Sequence, residues 1–236
     1  MLQLDSVTHA YDGRTVLRDI SVDLSEHRIG LIGANGSGKS TLARTLNGLV
    51  LPDSGRVLVD GIDTRRAPRR VRRTVGFVFS DADTQIIMPT VAEDIALGLR
   101  GRGVARADID ARVAETLRRY GLADHADHPA HLLSGGQKQL LALAAVLVTE
   151  PDILVCDEPT TLLDLRNTEM ITRTLRALPQ QLILLTHHLA TLADFDRVLV
   201  IDEGRIVFDG APAPAIDFYT ALMRSAPAGE AAGSAE

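Results

Sequence analysis

Gly33-Ala-Asn-Gly-Ser-Gly-Lys-Ser40 fits G-x-x-x-x-G-K-[ST] at every fixed position. Chemistry dictates that spacing. Glycines let successive backbone N–H groups turn inward on phosphate oxygens, and the helix that follows adds a favourable dipole. Gly33, Asn35, Gly36, Ser37 and Gly38 are the candidate loop contacts, followed by Lys39, Ser40 and Thr41. Lys39 is placed for β- and γ-phosphates, and the Ser40 hydroxyl for Mg²⁺. A second chemical stretch, Ile153-Leu-Val-Cys-Asp-Glu158, is an apolar run ending in two carboxylates. A buried strand delivers such acids to the C-terminal edge of a parallel sheet, where ligands bind. Asp157 is the candidate Mg²⁺ holder, through water, and Glu158 the candidate general base for an attacking water. Cys156, just before them, reads as a small buried filler.

Positioning these groups requires an α/β sheet. Residues 2–8 and 15–24 alternate apolar and polar, as half-buried strands do. Arg28–Ile32 runs into the phosphate loop and a helical stretch at Ser40–Gly48, and Arg56–Val59 and Val75–Phe79 are further strands. From about Thr90 to Leu147 the periodicity is helical, clearest over Asp108–Tyr120. Strand and helix alternate again from Ile153: ILVCD, then Arg166–Ala177, LILLTH and RVLVIDEGRIVFDG. The expected organisation is a P-loop NTPase (RecA-like) core over 1–80 and 146–212 with a helical insert over 81–145. Residues 213–236 are expected to form a C-terminal helix and a disordered Ala/Gly/Ser/Glu-rich tail. No internal repeat marks a tandem pair.

Composition narrows the classes. The 236 residues carry a formal net charge of −6 and 3% aromatics without Trp, which argues against a nucleic-acid partner. A single cysteine excludes an internal disulfide and a multi-Cys metal site. MLQLDSVTHAYDG has no signal-peptide character, and the longest apolar run, Leu140–Val148, is about half of what spanning a bilayer needs. Any membrane function therefore calls on another chain for the spanning.

Leu133-Ser134-Gly135-Gly136-Gln137 stands twenty residues before Asp157 and precedes a helical run. With this pentapeptide the chain resembles the ATP-binding cassette (ABC) family, whose signature LSGGQ it reproduces, over about residues 1–212. The resemblance implies an added antiparallel β-subdomain and two cassettes, identical or different, stacked head to tail around two ATP molecules. Ser134, Gly135, Gly136 and Gln137 of one subunit would then face the γ-phosphate held by the other. A hydroxyl and N–H groups at a helix N-terminus suit that task. It further implies Tyr11 as the aromatic stacking on adenine, Asp164 as part of the loop joining the two sites, and His187 as the γ-phosphate sensor. Thr161 and Leu162 stand where the family usually has Ser-Ala.

In most importing cassettes a metal-sensing glutamine follows the VGFVF strand, and here that position is Ser80. A serine is about two bonds shorter, so Ser80 through water, or Gln85 further on, are alternative metal contacts. The segment DADTQIIMPTVAEDIALG is similar to the ATPases of energy-coupling-factor (ECF) vitamin and metal importers. That resemblance assigns Gln85 and Asp83 to coupling with a membrane partner. His125, His128 and His131, at three-residue spacing, are read as surface or structural groups with Pro129 breaking any helix. The arginines at 65, 66, 69, 70, 72 and 73 are read as a solvated face.

The expectation is an ATPase working at the cytoplasmic face of a membrane with ATP and Mg²⁺. It would drive import of a micronutrient, biotin slightly ahead of cobalt or nickel, through a transmembrane subunit and a substrate-binding membrane subunit. The alternatives are a cassette acting on nucleic acid or ribosomes, for which the chain shows neither coiled-coil arms nor a basic domain, and the detached ATPase of an exporter.

Overall fold

The computed structural model describes residues 1–225; the expected disordered tail lies almost wholly outside the described residues. Two sheets are present. The first is antiparallel, built from β1 (Leu2–Tyr11), β2 (Arg14–Leu24), β4 (Ser54–Val59) and β5 (Ile62–Asp63) in the order β2-β1-β4-β5. The second contains β3 (Arg28–Ile32), β6 (Val75–Val78), β7 (Ile153–Asp157), β8 (Gln181–Leu185), β9 (Arg197–Asp202) and β10 (Arg205–Gly210). Its order is β10-β9-β3-β8-β7-β6; all neighbours are parallel except the β10 edge. The parallel strands VGFV and ILVCD are buried at every position, as strands covered on both faces must be. Cys156 is wholly buried there, and burial pushes its thiol up, so it acts as the apolar filler expected.

Two apolar clusters organise the chain. One fills the space between the two sheets and around α1 (Lys39–Leu46), with Leu2, Leu31, Leu46, Val155 and Ile183 at its centre. The other joins the opposite face of the large sheet to α3 (Val91–Arg100), α4 (Arg106–Arg119), α5 (Gly135–Leu147) and α6 (Leu165–Arg176). In α5 the apolar sequence LLALAAVL leaves no polar stripe, and Leu141, Ala142 and Ala144 are fully buried. The first turn of α3 is closed by a capping box, in which Thr90 and Glu93 satisfy each other's backbone donors. A short helix, α2 (Pro68–Thr74), starts on proline and buries only Val71, so the arginine run stays mostly in solvent. α7 (Pro212–Ser225) packs on β9 and β10. No described helix is long and apolar enough to cross a membrane.

Candidate nucleotide site

Topology assembles the site at one sheet edge. β3, β8, β7 and β6 run parallel and adjacent, so the segments following them emerge together. The phosphate loop follows β3, Asp157 and Glu158 end β7, and His187 lies just beyond β8. Ser80 lies just beyond β6.

The loop turns into α1 at Gly38, whose φ of 105° is a left-handed value that a side chain rarely adopts. Lys39 is buried and its Nζ donates to the carbonyls of Gly33 and Ala34, both at 2.8 Å. Burial holds its ammonium below the ordinary value, against the opposing pull of the Glu158 and Asp157 carboxylates. Phosphate oxygens entering the loop compete for those donors with carbonyls that are weaker acceptors.

The Ser40 hydroxyl donates to Asp157 Oδ1 at 2.9 Å. A hydroxyl and a carboxylate held side by side at the phosphate loop are the hard oxygen donors that Mg²⁺ takes, directly or through water, so this donor pair fits that ion. Asp157 is buried, and that burial raises its carboxyl pKa; the Ser40 bond and the nearby Arg44 guanidinium partly oppose the rise.

Glu158 sits at a positive φ of 52° and hydrogen-bonds from its N–H to Leu185 of β8. Its side chain faces two partners. Oε1 lies 2.7 Å from His187 Nε2, and Oε2 accepts from the Thr161 hydroxyl at 3.1 Å. His187 is 39% exposed, so its ring can leave Glu158 without displacing packed neighbours.

An open cleft of about 730 Å³ runs from Tyr11 through the loop from Ala34 to Thr41 and on to Glu158. Tyr11 is 44% exposed at the tip of the β1–β2 hairpin and meets the buried His9 edge-on at 4.6 Å. Much of its ring is therefore accessible beside the phosphate loop. Arg14, Arg18 and the Asp202-Glu203-Gly204 turn also line this cleft, and sequence reasoning did not single them out. The turn is held there by a hydrogen bond from Gly204 N–H to the Ser37 carbonyl at 2.9 Å. Locally it reads as an ordinary hairpin, so only the fold places it.

The signature is elsewhere. Ser134 to Gln137 are not among the residues lining the cleft. Ser134 is the exposed N-cap of α5, its hydroxyl accepting from Gln137 N–H while its own N–H donates to Gln137 Oε1 at 2.9 Å. Gly136 is buried against Asn167, and a Cβ there would collide with the amide of that side chain. Asp164 caps α6 by accepting from Asn167 N–H at 2.8 Å, so the Asp164 loop and the signature share one contact.

Neither Ser80 nor Gln85 lines the cleft. Gln85 is bound internally: its Oε1 accepts from Phe79 N–H and its Nε2 donates to the Ala142 carbonyl, both at 3.0 Å. The Gln139 amide donates to the Phe79 carbonyl at 3.2 Å, and Lys138 Nζ meets Asp83 Oδ1 at 2.7 Å. Residues 79–85 are thus strapped along α5, with Ser80 inside the strap. The three spaced histidines form no metal cluster among the described residues.

Comparison with known proteins agrees with this geometry. The profile of the ABC transporter family matches residues 17–161. An ABC transporter ATP-binding protein, so described only in general terms, from Deinococcus radiodurans is 53% identical over 223 residues, covering 94% of this chain and 99% of that protein. The biotin transport ATP-binding protein BioM of Rhizobium etli is 45% identical over 218 residues, covering 92% and 97%. Among solved structures, CbiO1 of Clostridium perfringens, part of the ABC transporter complex CbiONQ, superposes with a TM-score of 0.80 at 33% identity, over 94% of this chain and 92% of that one. The chain belongs to the ABC transporter family, as an ATP-binding subunit with the P-loop NTPase fold.

Proposed function

We propose that this chain hydrolyses ATP with Mg²⁺ as one of two paired cassettes, identical or different, and thereby energises import of a micronutrient through separate membrane subunits of the ECF type. Biotin is the preferred cargo, ahead of cobalt or nickel, because a biotin transport ATPase is among the relatives. The observation that carries the pairing is the position of the signature. Its capped helix N-terminus is exposed and lies outside the cleft formed by its own phosphate loop. A second cassette supplies the nucleotide that such an anion site needs.

The chemistry follows from the side chains. Lys39 exchanges the Gly33 and Ala34 carbonyls for phosphate oxygens. Ser40 and Asp157 would hold Mg²⁺, which neutralises charge on the β- and γ-phosphates when bound. Both Glu158 oxygens have partners in this structure, so Glu158 becomes a base for water only when His187 releases Oε1. A γ-phosphate oxygen is the stronger competitor for the imidazole N–H. Arrival of the γ-phosphate therefore frees the base at the moment that its target is in place. Tyr11 offers its open face to adenine.

Coupling to the membrane partner is assigned to the segment from Asp83 to Gly98, and it acts through α5. Asp83 and Gln85 tie that segment to the signature helix, and Asp164 contacts it through Asn167. The test is Glu158→Gln. Removing a general base should lower turnover by roughly 10²- to 10⁴-fold while ATP binding and ATP-driven pairing persist. A normal rate would remove Glu158 from its role. Co-purification from native membranes with a small hydrophobic subunit is expected, and recovery with ribosomes or nucleic acid instead would overturn the transport reading.

A further inference from the structure

His125 and His128 face each other with Nδ1 atoms 2.8 Å apart, and His125 Nε2 lies 2.8 Å from Gln137 Nε2. Gln137 is the signature glutamine whose Oε1 accepts from Ser134 N–H. These contacts permit only one arrangement of protons. A backbone N–H can only donate, so Gln137 must present its oxygen to Ser134 and its NH₂ to His125. His125 Nε2 must then accept, which puts the proton of this imidazole on Nδ1. That proton goes to His128 Nδ1, leaving the second ring protonated on Nε2.

The relay is anchored at its far end. The His128 carbonyl accepts from Val91 N–H at 3.3 Å, the Ala126 carbonyl accepts from Ala92 N–H at 2.9 Å, and Ala130 N–H donates to the Pro89 carbonyl at 2.8 Å. The loop carrying both histidines is therefore sewn to the start of α3. The two rings and Gln137, with Pro129, Leu132 and Leu133, line a cavity of about 190 Å³, which leaves space for the amide to turn.

We propose that His125 and His128 are positioning residues of the signature: an ordered chain of hydrogen bonds that fixes the Gln137 amide, and through it the Ser134 N-cap, relative to the start of α3. The inference rests on the reading that Ser134 serves a nucleotide held by a paired cassette. Protonating His125 would set an N–H against the Gln137 NH₂ group. Relief by turning the amide would take Oε1 away from Ser134. Several charged groups on the elements packed around the pair have partners elsewhere. Glu93 and Asp94 of α3 accept from Thr90 and from Ile87 and Met88, Arg118 of α4 donates to Ala114, Arg119 lies over Tyr120, and Lys138 of α5 pairs with Asp83. Asp124 and Asp127 on the loop, like every other described carboxylate, lie beyond ion-pair distance of both rings.

The direct test is nitrogen-15 NMR of the full chain with labelled histidine at a pH where both rings are neutral. Peaks would be assigned with the single variants. The expected signature is the Nδ1–H tautomer at His125 and the Nε2–H tautomer at His128; the reverse, or averaged shifts at both rings, overturns the proposal. The functional test measures ATP-driven pairing in a Glu158→Gln background. His125→Leu should weaken pairing about tenfold, one hydrogen bond being lost at each of two signatures, with nucleotide affinity of the unpaired chain unchanged. His125→Gln, which restores an acceptor for the Gln137 amide, should recover it. Equal pairing in His125→Leu, or no recovery in His125→Gln, overturns the positioning role. If the Glu158→Gln parent does not pair with itself, pairing of identical cassettes has failed, and the tautomers still decide whether the relay exists.

Discussion

Replacing Gln85 by leucine keeps side-chain size and removes two hydrogen bonds. The loss at Phe79 is the larger, because its N–H is left without the Gln85 acceptor in a half-buried place, at a cost of about 1–3 kcal/mol. The Ala142 carbonyl sits in mid-α5 and keeps its helical partner, so that loss is about 0.5–1.5 kcal/mol. Leucine recovers some apolar burial at a half-exposed position, roughly 0.5–1 kcal/mol. The net expectation is a destabilisation of about 0.5–4 kcal/mol. Chemical denaturation of Gln85→Leu should show it in the midpoint, and hydrogen exchange should localise it as loss of protection at Phe79. Gln85→Glu separates the two bonds: it keeps an acceptor for Phe79 and sets a carboxylate oxygen against the Ala142 carbonyl. In membranes containing the partner subunits, Gln85→Leu should lower uptake per ATP hydrolysed more than it lowers hydrolysis. Unchanged stability together with unchanged exchange at Phe79 would refute the strap. A destabilised variant with normal uptake per ATP would refute its part in coupling.

Two further outcomes follow from the site. Asp157→Asn should raise the stability of the metal-free protein at neutral pH. Burial raises the folded-state pKa of Asp157, so its stabilising contribution is present at low pH and is lost as pH rises through that folded value; asparagine removes this dependence, and denaturation midpoints across the acid range should flatten. The same variant should lose the extra stabilisation that Mg²⁺ adds to bound nucleotide, and retention of it would argue against Asp157 as metal holder. Gly136→Ala should abolish ATP-driven pairing because its Cβ meets the Asn167 side chain, and pairing restored by adding Asn167→Gly would show that the clash, not the signature itself, was responsible.

The strands that carry chemistry were legible because their physics is local. RIGLI and ILVCD are continuous apolar runs ended by a glycine loop and by two acids, and β3 and β7 occupy those residues. The short α2 was missed, because its four arginines read only as part of a solvated face. The internal bonding of Gln85 was not legible at all. Its partners are six and 57 residues away, and nothing in the segment DADTQ tells whether the amide points to a partner protein or back onto α5. The turn at Gly204 and the pairing of His125 with Gln137 failed for the same reason, since each depends on two segments meeting in the fold.

What those non-local contacts share is α5. The strap from β6 reaches it at Lys138, Gln139 and Ala142, and the histidine loop reaches its first turn at Gln137. Lys138 and Ala142 are one helical turn apart, so the strap grips a single side of the helix. Ser80 is bracketed by Phe79, whose N–H and carbonyl are both held by glutamines, and by Asp81, which caps the turn at Asp83. No one of these bonds is worth much more than about 1–2 kcal/mol net, and each alone would break readily. Together they make displacement of residues 79–85, or of the start of α3, difficult without moving the helix that presents Ser134. Under the proposed coupling, a signal arriving from the membrane side would be delivered to the signature, and so to the nucleotide of a paired cassette. Lys39, Ser40 and Asp157 stand on the sheet edge outside that unit. In the proposed pair, binding in one subunit and closure onto the other would then be controlled separately, as a transport cycle requires.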